Sequence, residues 1–254
     1  MKRMNIAWVT RVENISPNMI RVRLQSEKIR DFPSDVEGGH LKLVIPLTGQ
    51  SESEFQRFLD GFGIRKRMRT YTVRHLHKDT GEIDVDFVVH GDEGPASAWA
   101  LSAKIGSFIG FSFPGHPKLK KSKSDTYLIA VDMTAFPAAA AGVEALPDHA
   151  KGDFYAEILS EDDVQPINAP TGINLHWIVK SAANDETKLI NAIRCYPLSG
   201  DESVFIAGEF ETVGALRYYF RQEQTYPKDQ LYISSYWKRG LIEAEHKRVK
   251  TLVA

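Results

Sequence analysis

The hydrophobic pattern of this 254-residue chain changes near its midpoint, and this change constrains the fold more than any other feature. Before residue 114, apolar and polar residues alternate in short segments. After residue 125, apolar strand-like segments alternate with helix-like ones. Short alternating segments indicate an antiparallel sheet, whereas strand–helix alternation indicates a parallel sheet with crossover helices. We therefore predict two domains of different class, all-β and then α/β.

The join between the two patterns is the segment PGHPKLKKSKSD, residues 114–125, with four lysines between residues 118 and 123. Charge changes at the same place. Residues 1–124 carry a net charge of +6 and residues 125–254 a net charge of −7, which gives −1 for the whole chain. We interpret the join as a solvated linker between domains 1–117 and 125–254. A basic half beside an acidic half favours an anionic small-molecule ligand over nucleic acid, which needs a broad positive face.

The first half contains six segments with strand character, separated by turn residues. The six segments are MNIAWVTRVENIS, MIRVRLQSE, GHLKLVIPL, TYTVRHLHK, EIDVDFVVH and SFIGFSF. They predict a small closed six-stranded antiparallel β-barrel. The segment SESEFQRFLDGFGIRKRM interrupts the pattern as a helical or loose excursion, and residues 95–106 predict a helix that begins at Pro95.

The second half predicts a five-stranded parallel sheet with helices between its strands. The strand segments are TYLIAVDM, DFYAEIL, LHWIVK, ESVFIAGE and QLYISSYW. Sheets of this kind bind ligands beyond the carboxyl ends of their strands. Neither a GxGxxG nor a Walker A motif is present, so the standard dinucleotide and P-loop fingerprints are absent.

Composition excludes several classes. The single cysteine, Cys195, excludes an internal disulfide framework and four-cysteine metal sites. No segment approaches the roughly 20 apolar residues of a membrane span, and the N-terminus lacks the apolar region of a secretory signal. We expect a cytoplasmic protein with no nucleic-acid partner. We expect no metal site, and we interpret His75 and His77 as structural residues of a strand.

Two segments carry a specific resemblance: RTYTVR, residues 69–74, and DFVVHGDEGPASAWA, residues 86–100. Together they resemble the siderophore-interacting proteins, which are flavin-dependent ferric-siderophore reductases with a ferredoxin-reductase-like architecture. The later segments VDMTAFPA, AGEF and SYWKRG agree with this. The resemblance implies an FAD-binding barrel, an NAD(P)H-binding α/β domain, and release of iron as Fe(II) with electrons passed from NAD(P)H through FAD.

The chemistry of the first motif suits a flavin. Tyr71 can lay its ring against the isoalloxazine, and Thr72 can hydrogen-bond the flavin edge near the redox-active nitrogen, so we assign both a catalytic role. Arg69 and Arg74 can hold phosphate oxygens. Alternation puts Arg69 and Tyr71 on one face of the strand and Thr72 and Arg74 on the other. All four therefore contact one cofactor only if the strand is distorted or the ligand grips its edge.

The second motif predicts an anion site, because a helix that opens after a glycine leaves its first N–H groups free. Ser97 adds a hydroxyl and could equally be a structural cap. A histidine before such a turn either contacts the flavin or its ribityl chain, or faces solvent. The family resemblance implies that the FAD-contacting residues of this motif are Asp86, His90, Gly94, Pro95, Ala96 and Ser97.

On the nicotinamide side, the segment DMTAFP, residues 132–137, stands where many such reductases have a glycine-rich turn. It has Phe136 where the family resemblance leads us to expect leucine. Thr134 is predicted to cap the following helix and to contact phosphate. The predicted nicotinamide-contacting residues are Asp132, Thr134, Ala135, Gly208, Glu209 and Trp237.

Two short segments bear on the choice between NADH and NADPH. Residues 161–163, Glu-Asp-Asp, would repel a 2′-phosphate, whereas Lys180 and Ser181 could attract one. On balance the sequence favours NADH and leaves NADPH open.

Ferric siderophores are often anionic, so we expect a basic docking surface. The candidate residues are Lys42, Lys118, Lys247 and Arg248, each of which also fits an ordinary surface charge. Trp237 is expected to border the flavin face opposite Tyr71, with residues 241–254 folding back to gate the cleft. The alternative is that Trp237 is a core residue and the tail packs elsewhere.

Two other functions stay open at this point. One is a generic flavin reductase or electron-transfer flavoprotein, with a protein as electron donor or acceptor. The other is a siderophore-binding module without catalysis. The sequence identifies neither the siderophore nor the oligomeric state.

Overall fold

The computed structural model describes residues 4–61, 63–89, 94–119, 124–180, 187–241 and 243–252. The chain divides into two compact units, Met1–Pro117 and Lys118–Ala254. The division falls at Pro117, within the lysine-rich segment that separates the two hydrophobic patterns.

The first unit is built on a seven-stranded antiparallel sheet. Its strands are β1 (Asn5–Ser16), β2 (Met19–Gln25), β3 (His40–Val44), β4 (Met68–Thr72), β5 (His75–His77), β6 (Glu82–Val88) and β7 (Phe108–Phe111). Their order across the sheet is β4-β3-β7-β1-β2-β6-β5. Alternate side chains of these strands meet inside the sheet in one core that includes Leu24, Leu41, Phe87 and Phe111, all fully buried.

The strand count corrects the prediction of six, because the segment predicted as one strand divides into β4 and β5. The division lies at Val73 and Arg74. The Val73 N–H donates to Gly39 O at 2.9 Å and the Arg74 N–H donates to Asp84 O at 2.8 Å. Residues 68–77 therefore supply both edge strands of the sheet, which curls so that its two edges meet along this segment. We call residues 68–77 the seam. No ladder joins β4 to β5, so strand pairing does not close the sheet into the predicted closed barrel.

Two helices accompany this sheet. The interrupting segment contains helix α1 (Glu52–Asp60), which begins with a capping box between Ser51 and Glu54. Its buried residues Phe55 and Leu59 pack in a small second cluster with Ile6. Helix α2 (Pro95–Ser102) confirms the predicted helix start at Pro95, and it ends earlier than predicted because Ala103 is extended.

A buried carboxylate organises the outer face of β5 and β6. Asp84 accepts from both Arg23 Nε and Nη2, at 2.7 and 2.9 Å, and from His75 and His77 at 3.0 Å each. Burial alone would raise the pKa of Asp84, but the hydrogen bonds from His75, Arg23 and His77 outweigh it and hold the pKa well below its usual range. Both histidines thus contact a buried carboxylate, and their structural role stays a prediction.

The second unit contains the predicted five-stranded parallel sheet. Its strands are β8 (Thr126–Asp132), β9 (Lys151–Ile158), β10 (Gly172–Val179), β11 (Ser203–Glu209) and β12 (Leu231–Trp237). Their order is β10-β9-β8-β11-β12, with β8 in the centre. Helix α3 (Phe136–Glu144) packs in the cluster on one face, and the helices α4 (Thr187–Arg194) and α5 (Phe210–Tyr218) contribute to the cluster on the other.

The last strand has an irregular end and is covered by the C-terminal helix. Gly208 pairs with Ser235 and Glu209 pairs with Trp237, so Tyr236 is an extra residue, a β-bulge. Helix α6 (Glu243–Leu252) packs against β12. There the Ser235 hydroxyl and His246 Nε2 lie 2.9 Å apart. Within the described ranges, no helix has the length and apolar character needed to cross a membrane.

Candidate functional site

Strand β4 carries the first predicted motif at the start of the seam. Tyr71 pairs with Leu41 of β3 and packs against the barrel core, whereas Thr72 is buried opposite His40. Arg69 is half-buried, and its Nη1 donates to the carbonyl oxygens of Lys66 and Met68 at 3.1 and 2.9 Å. These backbone contacts fix one end of the guanidinium group and leave its other N–H groups available to a ligand.

The second predicted motif meets the first through Phe87. The ring centroids of Tyr71 and Phe87 are 4.4 Å apart, and those of Phe87 and Trp99 of α2 are 5.6 Å apart. This row of three rings connects β4, β6 and α2. It places two motifs that are separate in sequence beside one another in space.

The start of α2 suits an anion. The helix begins after Gly94 with Pro95 in its first turn, and no side chain caps its first N–H groups. A Cβ added to Gly94 would have no atom of the described residues within 4 Å, so these residues leave space there. Ala96 is buried and Ser97 is half-buried in the same turn. An uncapped helix start beside open space is a site where backbone N–H groups bind phosphate oxygens.

Asp86, by contrast, is committed to a protein partner. Its two oxygens accept from Arg21 Nε and Nη2 at 2.7 and 2.8 Å, and its side chain is fully buried. A contact between Asp86 and FAD would therefore compete with this ion pair. Arg74 is buried, with 4% exposure. The predicted residue His90 lies outside the described ranges.

These residues fit FAD. The flat ring has an aromatic side chain available in Tyr71 and a hydroxyl beside it in Thr72, and the pyrophosphate has Arg69 and the uncapped start of α2. The first unit thus offers a side chain or backbone of matching chemistry for each of these groups of the cofactor.

In the second unit, the carboxyl end of β8 is organised by Asp132. Its Oδ1 accepts from the Thr134 N–H at 2.9 Å, the Thr134 hydroxyl at 2.6 Å and the Ala135 N–H at 3.2 Å. The N-cap of α3 is Ala135, without a side-chain cap. The prediction that Thr134 caps this helix is therefore wrong, because its hydroxyl donates to the nearby carboxylate.

The end of β11 contributes Gly208 and Glu209. The buried carboxylate of Glu209 caps α5, accepting the N–H groups of Glu211 and Thr212, and it also accepts the Arg239 N–H at 3.2 Å. Asp132, Gly208 and Glu209 line a recess between the carboxyl edge of the sheet and helices α4 and α5. This is the edge at which parallel sheets bind their ligands.

Two family profiles match this chain in succession. The siderophore-interacting FAD-binding domain matches residues 8–118, and the siderophore-interacting protein domain matches residues 124–240. The chain belongs to the siderophore-interacting protein family. Its first unit is accordingly an FAD-binding domain, as the first two motifs predict.

Curated and solved relatives agree with this family. The ferric vibriobactin reductase ViuB of Vibrio cholerae is 34% identical over 252 residues, which cover 96% of this chain and 92% of ViuB. The siderophore-interacting protein SipS of Aeromonas hydrophila superposes with a TM-score of 0.85 and 28% identity, covering 100% of this chain and 99% of SipS.

The wider fold relationship is also shown. The ferredoxin reductase of carbazole 1,9a-dioxygenase superposes with a TM-score of 0.68 at 14% identity, over 92% of this chain and 69% of that one. The family member described here therefore has the predicted ferredoxin-reductase-like fold.

The remaining predicted nicotinamide residue, Trp237, lies at the bulged end of β12. Its Nε1 donates to Asp132 Oδ2 at 2.7 Å. The side chain is half-buried at the carboxyl edge rather than enclosed in the core. Asp132 and Trp237, which are 105 positions apart in sequence, are thus in direct contact.

The residues predicted to discriminate between NADH and NADPH differ in exposure. Lys180 Nζ donates to Glu157 Oε1 at 2.9 Å, and the side chains of the two residues are only 8% and 9% exposed. Glu161 and Asp162 are exposed, whereas Asp163 is buried and caps the N–H of Ser160 at 3.1 Å. Ser181 lies outside the described ranges.

The predicted docking residues belong to different elements of the two units. Lys42 is half-buried on β3, where its Nζ donates to the Thr70 hydroxyl. Lys118 is exposed at the start of the second unit. On α6, Lys247 pairs with Glu243 one turn earlier, and Arg248 is exposed. The combined docking role of these four residues stays a prediction.

Sequence reasoning missed three residues of these sites. Phe87 connects the two FAD motifs, Arg21 pairs with Asp86, and Tyr236 forms the bulge before Trp237. The arginine had a usable signal, because the pattern Arg-Val-Arg in β2 faces Asp-Val-Asp in β6 across the ladder. Phe87 stood within the quoted motif, and the bulge has no local signal.

Proposed function

We propose that this protein is an FAD-dependent oxidoreductase that passes electrons from NAD(P)H to ferric siderophores and so releases iron as Fe(II). The observation that carries the proposal is the packing of Phe87 between Tyr71 and Trp99 of α2, the helix whose start is uncapped, within an FAD-binding domain. The similarity to ViuB along nearly the whole chain supports this substrate class.

FAD, when bound, supplies the redox chemistry that couples a two-electron donor to the one-electron reduction of iron. In the binding site, Tyr71 supports the flat ring and Thr72 offers a hydrogen bond to its edge. Arg69, Arg74 and the start of α2 hold the phosphates. Fe(II) is held less tightly than Fe(III) by the hard oxygen donors of siderophores, so the product leaves without a protein ligand for iron.

On the nicotinamide side, we place the dinucleotide at the carboxyl edge of the parallel sheet, beside Thr134, Gly208 and Trp237. We propose NADH as the preferred donor. Lys180 supports this choice, because its ammonium group is buried in an ion pair with Glu157. Glu161 and Asp162 support it too, because exposed carboxylates repel a 2′-phosphate.

We also propose that the ferric siderophore docks through Lys42, Lys118, Lys247 and Arg248, with charge attraction as the main contribution. The single cysteine fits a cytoplasmic location, where disulfides are rare.

The test is an anaerobic titration followed by visible spectroscopy. Purified protein is loaded with FAD, reduced with NADH and then mixed with a ferric siderophore in the presence of a chelator that colours on binding Fe(II). We expect NADH to bleach the flavin band and the ferric complex to restore it as Fe(II) appears. Matched titrations with NADPH measure the donor preference.

Each alternative gives a different result. A protein that takes up no FAD is a binding module rather than an enzyme. A protein that is bleached by NADH and reoxidised equally well by any acceptor is a generic flavin reductase. If a reduced electron-transfer protein bleaches the flavin band and neither nicotinamide does, then that protein is the electron donor in place of NAD(P)H.

A further inference from the structure

We propose that Asp132 is a positioning residue, which fixes the indole of Trp237 at the carboxyl edge of the sheet, and that it does not itself contact the nicotinamide. The inference rests on the proposed function for the identity of the ligand. It differs from the sequence prediction, in which Asp132 is itself a contact of the dinucleotide.

The carboxylate of Asp132 has its hydrogen-bonding capacity filled by the protein. Three donors from Thr134 and Ala135 reach Oδ1, and the indole N–H of Trp237 reaches Oδ2. A carboxylate has about four acceptor positions. The side chain is therefore a junction between the turn after β8 and the end of β12, with little capacity left for a ligand.

The hydrogen bond between Asp132 and Trp237 crosses strand β11 at Gly208. Strand β11 lies between β8 and β12, so a side chain on β11 would stand between Asp132 and Trp237. A Cβ added to Gly208 would lie 2.7 Å from both Cγ and Oδ2 of Asp132, which is too close for any real contact. The glycine thus leaves the space that the carboxylate occupies.

The bulge at Tyr236 completes the arrangement. One extra residue in β12 changes which side chain stands opposite Glu209 and brings Trp237 to that position. Bulges redirect side chains in this way, and they are common beside ligand sites. Three independent features, a filled carboxylate, a missing Cβ and a bulge, therefore set the orientation of one indole.

A fixed indole lowers the cost of binding a flat ligand group, because the side chain loses less rotational freedom when the ligand arrives. The hydrogen bond from an indole N–H to a carboxylate is charge-assisted, so it holds the ring more firmly than a neutral acceptor would. We expect the link to influence KM for NADH more than retention of FAD.

The decisive variant is Asp132→Asn. Its amide oxygen can still accept from Thr134 and Ala135, while its NH₂ group faces the indole N–H, so that two donors meet and the link is lost. Trp237→Phe removes the donor and keeps an aromatic ring. Asp148→Asn, at an exposed aspartate, is the matched control.

The first readout needs neither FAD nor NADH. The chain has four tryptophans, so a ¹⁵N-labelled sample gives four indole N–H resonances, and the one missing in Trp237→Phe belongs to Trp237. We expect Asp132→Asn to shift this resonance and to leave the other three in place. An unmoved Trp237 resonance in a folded Asp132→Asn protein would overturn the link.

The second readout is steady-state kinetics of the FAD-loaded protein. We expect Asp132→Asn and Trp237→Phe each to raise KM for NADH by about ten-fold, as loss of one oriented contact does. The double variant should show no further increase, because both changes remove the same link. Additive effects, or an unchanged KM, would contradict the positioning role. If the wild-type protein does not oxidise NADH, the proposed function fails and this role in nicotinamide binding fails with it, while the resonance still decides the link.

Discussion

Arg69 combines fixed geometry with unused donors. Two backbone carbonyls hold its Nη1, and the rest of the guanidinium group is available on a half-buried side chain. An arginine held in this way is already oriented when a phosphate arrives, so less side-chain entropy is lost on binding. This explains why a half-buried arginine at the start of the seam suits a pyrophosphate.

We expect Arg69→Ala to weaken FAD retention, because it removes a charge-assisted contact of about 1.5–3 kcal/mol. This corresponds to a roughly ten- to hundred-fold higher Kd, which a fluorescence titration of the apoprotein with FAD measures. Arg65→Ala, at an exposed arginine of the preceding turn, is the control and should bind FAD normally. Equal losses in both variants would point to disturbance of the turn and not to a lost phosphate contact.

Asp84 makes a prediction about acid stability. Its pKa is lowered in the folded protein, so the stabilisation is present above the unfolded value of about 3.9 and is lost as pH falls below it. At pH 7 we expect Asp84→Asn to lower the free energy of unfolding by about 3–5 kcal/mol, because Arg23 loses its buried partner. Urea unfolding at several pH values measures this. The difference from wild type should narrow below about pH 4, whereas the exposed control Asp79→Asn should differ little at any pH. A gap that is constant through the acid range would refute the assignment.

Among the elements, β11 has a glycine at a position where a side chain would be strained. Gly208 has a φ of 149° and no room for a Cβ. We expect Gly208→Ala to destabilise the protein by about 1–3 kcal/mol, with backbone strain as the cause. Gly214→Ala is the matched control, since nothing lies within 4 Å of the added Cβ in α5 and alanine stabilises helices by about 0.8–1 kcal/mol. Thermal unfolding should therefore move in opposite directions for the two variants. A shift of the same sign in both would contradict this explanation.

Helix α6 tests the gating hypothesis. It is attached to β12 through His246 and through Lys250, which donates to the Ser234 hydroxyl and the Ser235 carbonyl at 2.7 and 2.8 Å. A chain that ends after Gly240 should keep FAD. If the helix gates access, the deletion should also change KM for NADH or the rate of hydride transfer, which stopped-flow spectroscopy measures. A chain that ends at Leu252 is the control, and unchanged kinetics in a folded, yellow protein that lacks α6 would end the gating hypothesis.

At the scale of the whole molecule, we expect positive surface charge to lower KM for an anionic ferric siderophore. We expect Lys42→Ala and the double variant Lys247→Ala/Arg248→Ala to raise KM for an anionic ferric siderophore, while reduction of FAD by NADH stays unchanged. Added salt should raise KM in the same way, because exposed charges are screened over about 8–10 Å at physiological ionic strength. Lys151→Ala, at the amino end of β9, is the control. A loss shared by both half-reactions would indicate a folding defect.

The sequence allowed prediction of the features that burial dictates locally. Alternation gave the antiparallel and parallel sheets, because inward residues of a strand must be apolar. The division of the seam into β4 and β5 was not predictable from local sequence, since it arises where the pairing partner changes from β3 to β6. The contact between Asp132 and Trp237 joins distant parts of the chain, and no local pattern reports it. The motif of residues 69–74 is recognisable in the sequence, whereas the contact of its Tyr71 with Phe87 is evident only in three dimensions.

The seam has a consequence for local opening of the apoprotein. Residues 68–77 complete the curled sheet by pairing with β3 through one part and with β6 through the other, so transient opening of the sheet should separate these strands first. The FAD motif begins in the same segment. A cofactor bound there holds the strands of the seam in their paired form. It stabilises this paired form by a free energy that grows with the logarithm of the FAD concentration. The amides of Val73 and Arg74 should therefore exchange with deuterium faster in apoprotein than in holoprotein, by a larger factor than amides of the second unit.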